Sequence, residues 1–108
     1  MESPYKGDVQ RNVEYARRCL HDCIARGEAP IASHLLYTQP GVLDDAVPEE
    51  RARGIACGHA WIRCADALAV YIDHGISDGM REAIKIAHHH GIKIDIRRLD
   101  GSKQAAAE

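Results

Sequence analysis

Ala67-Leu-Ala-Val-Tyr-Ile-Asp-His-Gly-Ile-Ser-Asp-Gly-Met-Arg-Glu82 reads as a strand, a turn and a helix start in succession. An apolar run from Ala67 to Ile72 has strand length and ends on Asp73. A Gly-containing turn follows, then a segment of helical character for which Ser77 or Asp78 is the N-cap. In α/β proteins this order marks the carboxyl end of a parallel strand, where ligands bind. Gly75 and Gly79 allow a sharp turn and a close backbone approach to a ligand. Glu82 falls in the first helical turn, so two acids and a helix N-terminus converge on one small volume. That volume is the candidate site.

The helix runs from about 78 to 90 and stops at Gly91, and Ile92-Lys-Ile-Asp-Ile96 alternates as a last strand. Upstream, Pro48-Glu-Glu suits a helix first turn, with Pro at N1 and acids favoured by the dipole, and that helix extends to about Cys64. Ala29-Pro-Ile-Ala-Ser-His-Leu-Leu-Tyr37 is a short apolar run between turn signals and predicts a buried strand with an extension. Before it, Val13, Ala16, Leu20, Cys23 and Ile24 recur at helical spacing, with Asp8 as the cap and Gly27 as the stop.

Alternating helices and strands predict an α/β fold with a parallel sheet covered on both faces. Such folds begin with a strand, yet only Met1-Glu2 precede the first loop. The first strand is therefore expected to be missing or very short, supplied by a partner, or encoded upstream. Residues 1–100 read as one domain, and Gly101 to Glu108 as a disordered, Ala-rich tail.

The 108 residues are 45% hydrophobic and 28% charged, which is ordinary for one soluble globular domain. A net charge of −2 gives no electrostatic reason to bind nucleic acid or an anionic membrane. No run approaches the ~20 apolar residues of a membrane span, and the first residues lack a secretory h-region. A cytoplasmic protein is expected. Cys19 with Cys23, and Cys57 with Cys64, share helical faces and read as buried, reduced thiols rather than a zinc ribbon. His88-His-His90 is a favourable charge near a helix end, since consecutive helical residues point about 100° apart. No cofactor and no metal is called for.

A set of short motifs then carries a resemblance. These are Ser3-Pro-Tyr-Lys-Gly-Asp8 with Asn12-Val-Glu-Tyr-Ala16, and Pro30-Ile-Ala-Ser-His-Leu-Leu-Tyr37. Leu43-Asp-Asp45, Pro48-Glu-Glu-Arg51 and Tyr71-Ile-Asp73 follow, the last with Ile76-Ser-Asp-Gly-Met80 and Ala87. Together, over roughly residues 3–96, they resemble small nucleoside 2-deoxyribosyltransferase-like proteins, many of them phage-encoded. The resemblance implies a three-layer, flavodoxin-like or Rossmann-like α/β sandwich with a short parallel sheet. It also implies chemistry at the N-glycosidic bond of a nucleoside or nucleotide. In that superfamily a glutamate attacks the anomeric carbon, the base departs, and a second base or water completes the exchange.

Carried over by position, Glu82, Asp73 and Tyr5 are the catalytic candidates, with Asp73 against the base. Tyr5 and Asn12 border the sugar, and Ser3, Asp8, His34 and Asp45 are further binding candidates. Ser77, Asp78, Gly79 and Met80 line the helix start, where backbone N–H groups favour an anion. His34 is either a hydrogen-bonded core histidine or a pocket residue. Asp45 is either solvated or reaches a neighbouring subunit's pocket. Trp61 reads as core or as a subunit contact.

The family pattern puts its glutamate three residues past the Met, where this chain has Ala83, with its acid one place earlier at Glu82. One helical residue is a rotation of about 100°. The reading is therefore a nucleoside- or nucleotide-binding domain acting on the glycosidic bond. A non-catalytic nucleotide binder, or an oligomeric structural protein that lost the nucleophile, is the alternative. A homodimer or larger homo-oligomer is expected, because related sites are shared between subunits and a small domain gains from added burial.

Overall fold

The computed structural model describes residues 1–99, so the tail expected from 101 to 108 lies outside the described residues. β1 (Ala67–Tyr71) takes the apolar run, and β2 (Lys93–Arg97) pairs with it in parallel from Ala67 opposite Lys93 to Tyr71 opposite Arg97. Strand alternation sends Leu68 and Val70 to one face of β1 and Ala69 and Tyr71 to the other. All four are buried. A strand buried on both sides is what an α/β layer order requires.

Two helices cover the Leu68–Val70 face. α3 (Pro48–Cys64) contributes Ile62, and α4 (Asp78–His89) contributes Met80, Ala83 and Ala87, all in one apolar cluster with Leu68 and Val70. α4 starts at Ser77, whose Oγ accepts from the Met80 N–H at 3.3 Å. α1 (Val9–Ala25) covers the opposite face through Tyr15, Cys19 and Cys23, packed with Ala69 and Tyr71. Asp8 caps α1 as expected, accepting from the Arg11 N–H at 3.2 Å. Its buried stripe is Asn12, Tyr15, Ala16, Cys19 and Cys23. Val13 and Leu20 are half-buried and Ile24 is exposed, so the inward face is turned toward polar-tipped residues rather than the aliphatic ones. The Tyr15 hydroxyl explains the rotation, because its partner is Asp73 at the tip of β1.

The edge of β1 away from β2 is met by Glu2 alone among the described residues. Glu2 N–H donates to the Ala69 carbonyl at 2.7 Å, and Tyr71 N–H donates to the Glu2 carbonyl at 3.0 Å. Glu2 and Val70 form a parallel bridge. Among the described residues the pairing at this edge is that single bridge.

The strand expected from Ala29 to Tyr37 is not one. Residues up to Ala32 are irregular, and Ser33–Leu36 forms α2, a single helical turn in which Ala32 C=O accepts from Leu35 and Leu36 N–H. The apolar run misleads because Pro30 has no N–H to offer a ladder. The turn instead rests against α3. A Cβ at Gly58 would lie 2.6 Å from Ser33 Oγ, so only glycine lets the two backbones come this close. The thiols are free, but only Cys19 and Cys23 are buried, while Cys57 is half-buried and Cys64 exposed. Among the described residues no helix is long and apolar enough to cross a membrane.

Candidate functional site

Four segments meet in a cavity of about 520 Å³, a volume in the range of small-molecule sites. The N-terminal segment brings Glu2, Ser3 and Tyr5, and α2 brings Ser33 and His34. The loop after α2 and the start of α3 bring Asp45, Glu50 and Arg51. The start of α4 brings Ser77 through Met80, with Glu82 and Ala83 a turn further on.

Each wall is held by identifiable contacts. Ser3 Oγ and His34 Nε2 are hydrogen-bonded at 2.8 Å, and Tyr5 stands edge-on to the His34 ring, 6.3 Å between centroids. Burial pushes His34 down to about 4, with the Met1 ammonium acting in the same direction, so the imidazole is neutral at neutral pH. A serine beside a histidine has the composition of a nucleophile and its base. However, Ser3 is only 4% exposed, and an imidazole of such low basicity is a poor acceptor for a hydroxyl proton. The pair fixes Tyr5 and α2 instead. Arg51 holds Asp45 across 3.3 Å, and Glu50 accepts from the Asp44 N–H at 3.0 Å, which fastens the acidic loop to α3.

The sequence-derived candidates divide into two groups. Tyr5, Ser3, His34, Asp45, Ser77, Asp78, Gly79, Met80 and Glu82 are brought together on the cavity wall. Glu82 sits at the rim, its side chain 59% exposed and hydrogen-bonded to Lys85 Nζ at 3.2 Å, whereas Ala83 is buried. Asp8, Asn12 and Asp73 are not on the wall. Asp8 is occupied as the α1 cap. Asn12 is buried and donates through Nδ2 to the Tyr5 and Lys6 carbonyls at 2.9 and 3.2 Å, so it shapes the loop carrying Tyr5. The Asp73 carboxylate accepts from the Tyr15 hydroxyl and from the Leu99 N–H, and so ties α1, β1 and the chain after β2 together.

Sequence reasoning missed Glu2. Read as the stub of an absent strand, it lines the cavity, and burial pushes its carboxyl up to about 7 against the opposing pull of the Met1 ammonium. The only signal was its place just before the Ser3-Pro-Tyr motif. Ser33, Tyr37 and His59 were also missed as wall residues, because the expected strand and an unpatterned helix hid which way they face.

Fold and site define a mixed α/β domain with a polar-rimmed cavity at the carboxyl end of its parallel strand. The chain belongs to the family described as a domain of unknown function (DUF7768), whose model matches residues 1–97. No curated protein and no solved structure matches it.

Proposed function

We propose that this domain binds a nucleoside or nucleotide in the cavity and acts on its N-glycosidic bond. The observation that carries this reading is the convergence of Tyr5, Asp45, the α4 N-terminus and Glu82 on one cavity, from segments far apart in sequence. Tyr5 offers a ring for a base or sugar, and the α4 start offers backbone N–H groups for a phosphate or hydroxyl. Glu82 is the carboxylate nucleophile of the reading, reaching inward from the rim by releasing Lys85. The apolar clusters on opposite faces of β1 support a three-layer, flavodoxin-like order, as in the nucleoside deoxyribosyltransferases that the motifs resemble.

The second reading is a nucleotide-binding module without turnover. It is favoured by Ala83, buried against the cavity at the position where the resembling family has its acid. A homo-oligomer belongs to both readings, with half-exposed Trp61, whose Nε1–H donates to Tyr37 at 2.8 Å, as a contact residue.

The test is incubation of the purified protein with deoxynucleosides and their 5′-monophosphates, with and without a second free base, followed by chromatography of released or exchanged base. Release that disappears in Glu82→Ala establishes the enzyme. No turnover, but thermal stabilisation by a panel member, establishes the binding module. A saturating ligand at about a hundredfold its Kd stabilises by about 2.7 kcal/mol, which a melt resolves easily. Neither turnover nor stabilisation refutes both.

A further inference from the structure

We propose that Glu2 is the proton donor of the cavity, a carboxyl that meets a nitrogen of the bound base as an O–H rather than as a carboxylate. This rests on the nucleoside reading above and assigns that site its acid.

Geometry places the group. The bridge to Val70 puts the Glu2 side chain on the Val70 face of the sheet, the face that also carries Met80 and Ala83 of the cavity wall. Among the described residues no hydrogen bond or ion pair reaches its carboxyl group. No fully buried side-chain oxygen there lacks a partner, so the Glu2 oxygens keep some accessible surface, and the residue lines the cavity. An apolar floor and an unpaired acid are the conditions that keep a carboxyl protonated near neutral pH.

The charges around it do not reverse this. Lys6 stands on the N-terminal segment and His34 on α2, the latter neutral. Arg51 of α3 is engaged by Asp45, and Glu50 and His59 share that helix wall. From α4, Asp78 is paired with Arg81 and Glu82 with Lys85. The Met1 ammonium, which donates to the Ile31 carbonyl at 2.7 Å, pulls Glu2 down, but burial outweighs it, and the ordinary order of basicity is inverted: the glutamate lies above the histidine.

A donor here completes the chemistry. As the Glu82 carboxylate forms a bond to C1′, the C1′–N bond breaks, its electron pair stays on the base nitrogen, and that nitrogen takes the Glu2 proton. Water then attacks C1′ from the vacated side and passes its proton to the Glu2 carboxylate, while the ester electrons return to Glu82. Nucleoside plus water gives free base plus sugar, with both carboxyls restored.

The test uses the whole chain with carbon-13-labelled glutamate. The Glu2 carboxyl signal, identified by its loss in Glu2→Gln, is followed from about pH 4 to about pH 9 by NMR. Binding of 2′-deoxyadenosine and its 5′-monophosphate is measured across the same range. The expected results are a titration midpoint near 7 and affinity falling about tenfold per pH unit above it. Glu2→Gln keeps an N–H donor, so it should bind without pH dependence while releasing no base. A midpoint near 4.5 overturns the inference. So does binding with the same pH profile in the wild type and Glu2→Gln, which leaves the nucleoside reading standing. No binding by either protein overturns both.

Discussion

The Tyr15 hydroxyl donates to Asp73 Oδ1 at 2.5 Å and accepts from the Asp73 N–H at 3.0 Å, closing a two-way link between α1 and the tip of β1. Tyr15 is 2% exposed and stacks on His74 with 4.2 Å between ring centroids. Burial, reinforced by the hydrogen bond to Asp73, holds the phenol well above its ordinary range, so it stays a neutral donor. Asp73, one of the catalytic candidates of the sequence, here fastens α1 to β1. Tyr15→Phe leaves an acceptor short of one donor and should cost about 1–3 kcal/mol. Asp73→Asn should cost a similar amount. Urea denaturation of both and of the double variant should give a coupling of about 0.5–3 kcal/mol; additive losses would show the link to be idle.

A second fastener lies at the other end of α1. Arg97, its side chain 5% exposed, makes two hydrogen bonds to the Glu28 carboxylate, at 2.7 and 2.5 Å, and one to Asp95 at 2.8 Å. The same guanidinium donates to Tyr71 OH at 3.2 Å, and Tyr71 donates to Asp22 at 2.6 Å. Arg97→Lys removes the planar fork and should destabilise by about 2–4 kcal/mol despite keeping the charge. The hydrogen bonds from Arg97 hold Glu28 below the usual glutamate range. Its contribution is therefore complete above about 4.5 and fades as pH falls below that value. Glu28→Gln should remove this acid-side loss in denaturation curves.

Much of this frame was legible. The β1 run, the α4 cap at Ser77, the Pro48 start of α3 and the stops at Gly27 and Gly91 are local signals, and local chemistry sets them. What failed depended on partners distant in sequence. Ala29 to Tyr37 has strand composition, but no strand among the described residues meets it, and Gly58 offers a surface for a helical turn instead. The contacts of Asp73 with Tyr15 and Leu99, and of Asn12 Nδ2 with the Tyr5 and Lys6 carbonyls, likewise have no local signature. Glu2 shows the converse. A residue without local pattern becomes chemically distinctive only once the sheet edge buries it.

Glu2 and His34 should pull stability in opposite directions with pH. His34 is held at about 4, below its unfolded 6.5, so its contribution is full above 6.5 and lost as pH falls toward 4. Glu2 is raised from 4.5 to about 7, so its contribution is full below 4.5 and lost as pH rises through 7. Glu2→Gln should therefore stabilise the protein by about 1–3 kcal/mol above pH ~7 and be neutral below pH ~4.5. His34→Gln should flatten the acid limb. Urea midpoints measured at the two extremes check both signs, and the same sign at both would refute the assignment.

Glu82 and Ala83 separate stability from chemistry. Glu82→Ala removes an exposed pair with Lys85 and should change stability by less than about 0.5 kcal/mol. Loss of base release in so silent a variant would be a direct effect on the reaction. Ala83→Glu carries the acid about 100° round the helix into a position 2% exposed. It should lower stability by about 2–4 kcal/mol, because the carboxyl enters an apolar cluster with Met80 and Val70. If the wild type proves to bind without turnover, base release gained in Ala83→Glu would show that one misplaced acid separates binder from enzyme.

Gly58 and Gly54 test the wall formed by α2. A Cβ at Gly58 meets Ser33 Oγ at 2.6 Å and Ser33 Cβ at 3.2 Å, while one at Gly54 meets only Leu43 Cδ1 at 3.4 Å and Tyr37 Cβ at 3.8 Å. Both positions are inside α3, where alanine gains up to about 1 kcal/mol over glycine in helix propensity. Gly54→Ala should therefore be neutral or stabilising. At Gly58 the Ser33 hydroxyl can rotate away but its Cβ cannot, so α2 must shift. That shift moves His34 and weakens its 2.8 Å bond to Ser3. Gly58→Ala should destabilise by about 1–2 kcal/mol and weaken nucleotide binding, whereas Gly54→Ala should leave binding unchanged. Thermal melts of the two variants, with and without 2′-deoxyadenosine 5′-monophosphate, distinguish them. Equal behaviour would mean that α2 is not held against α3 by this contact.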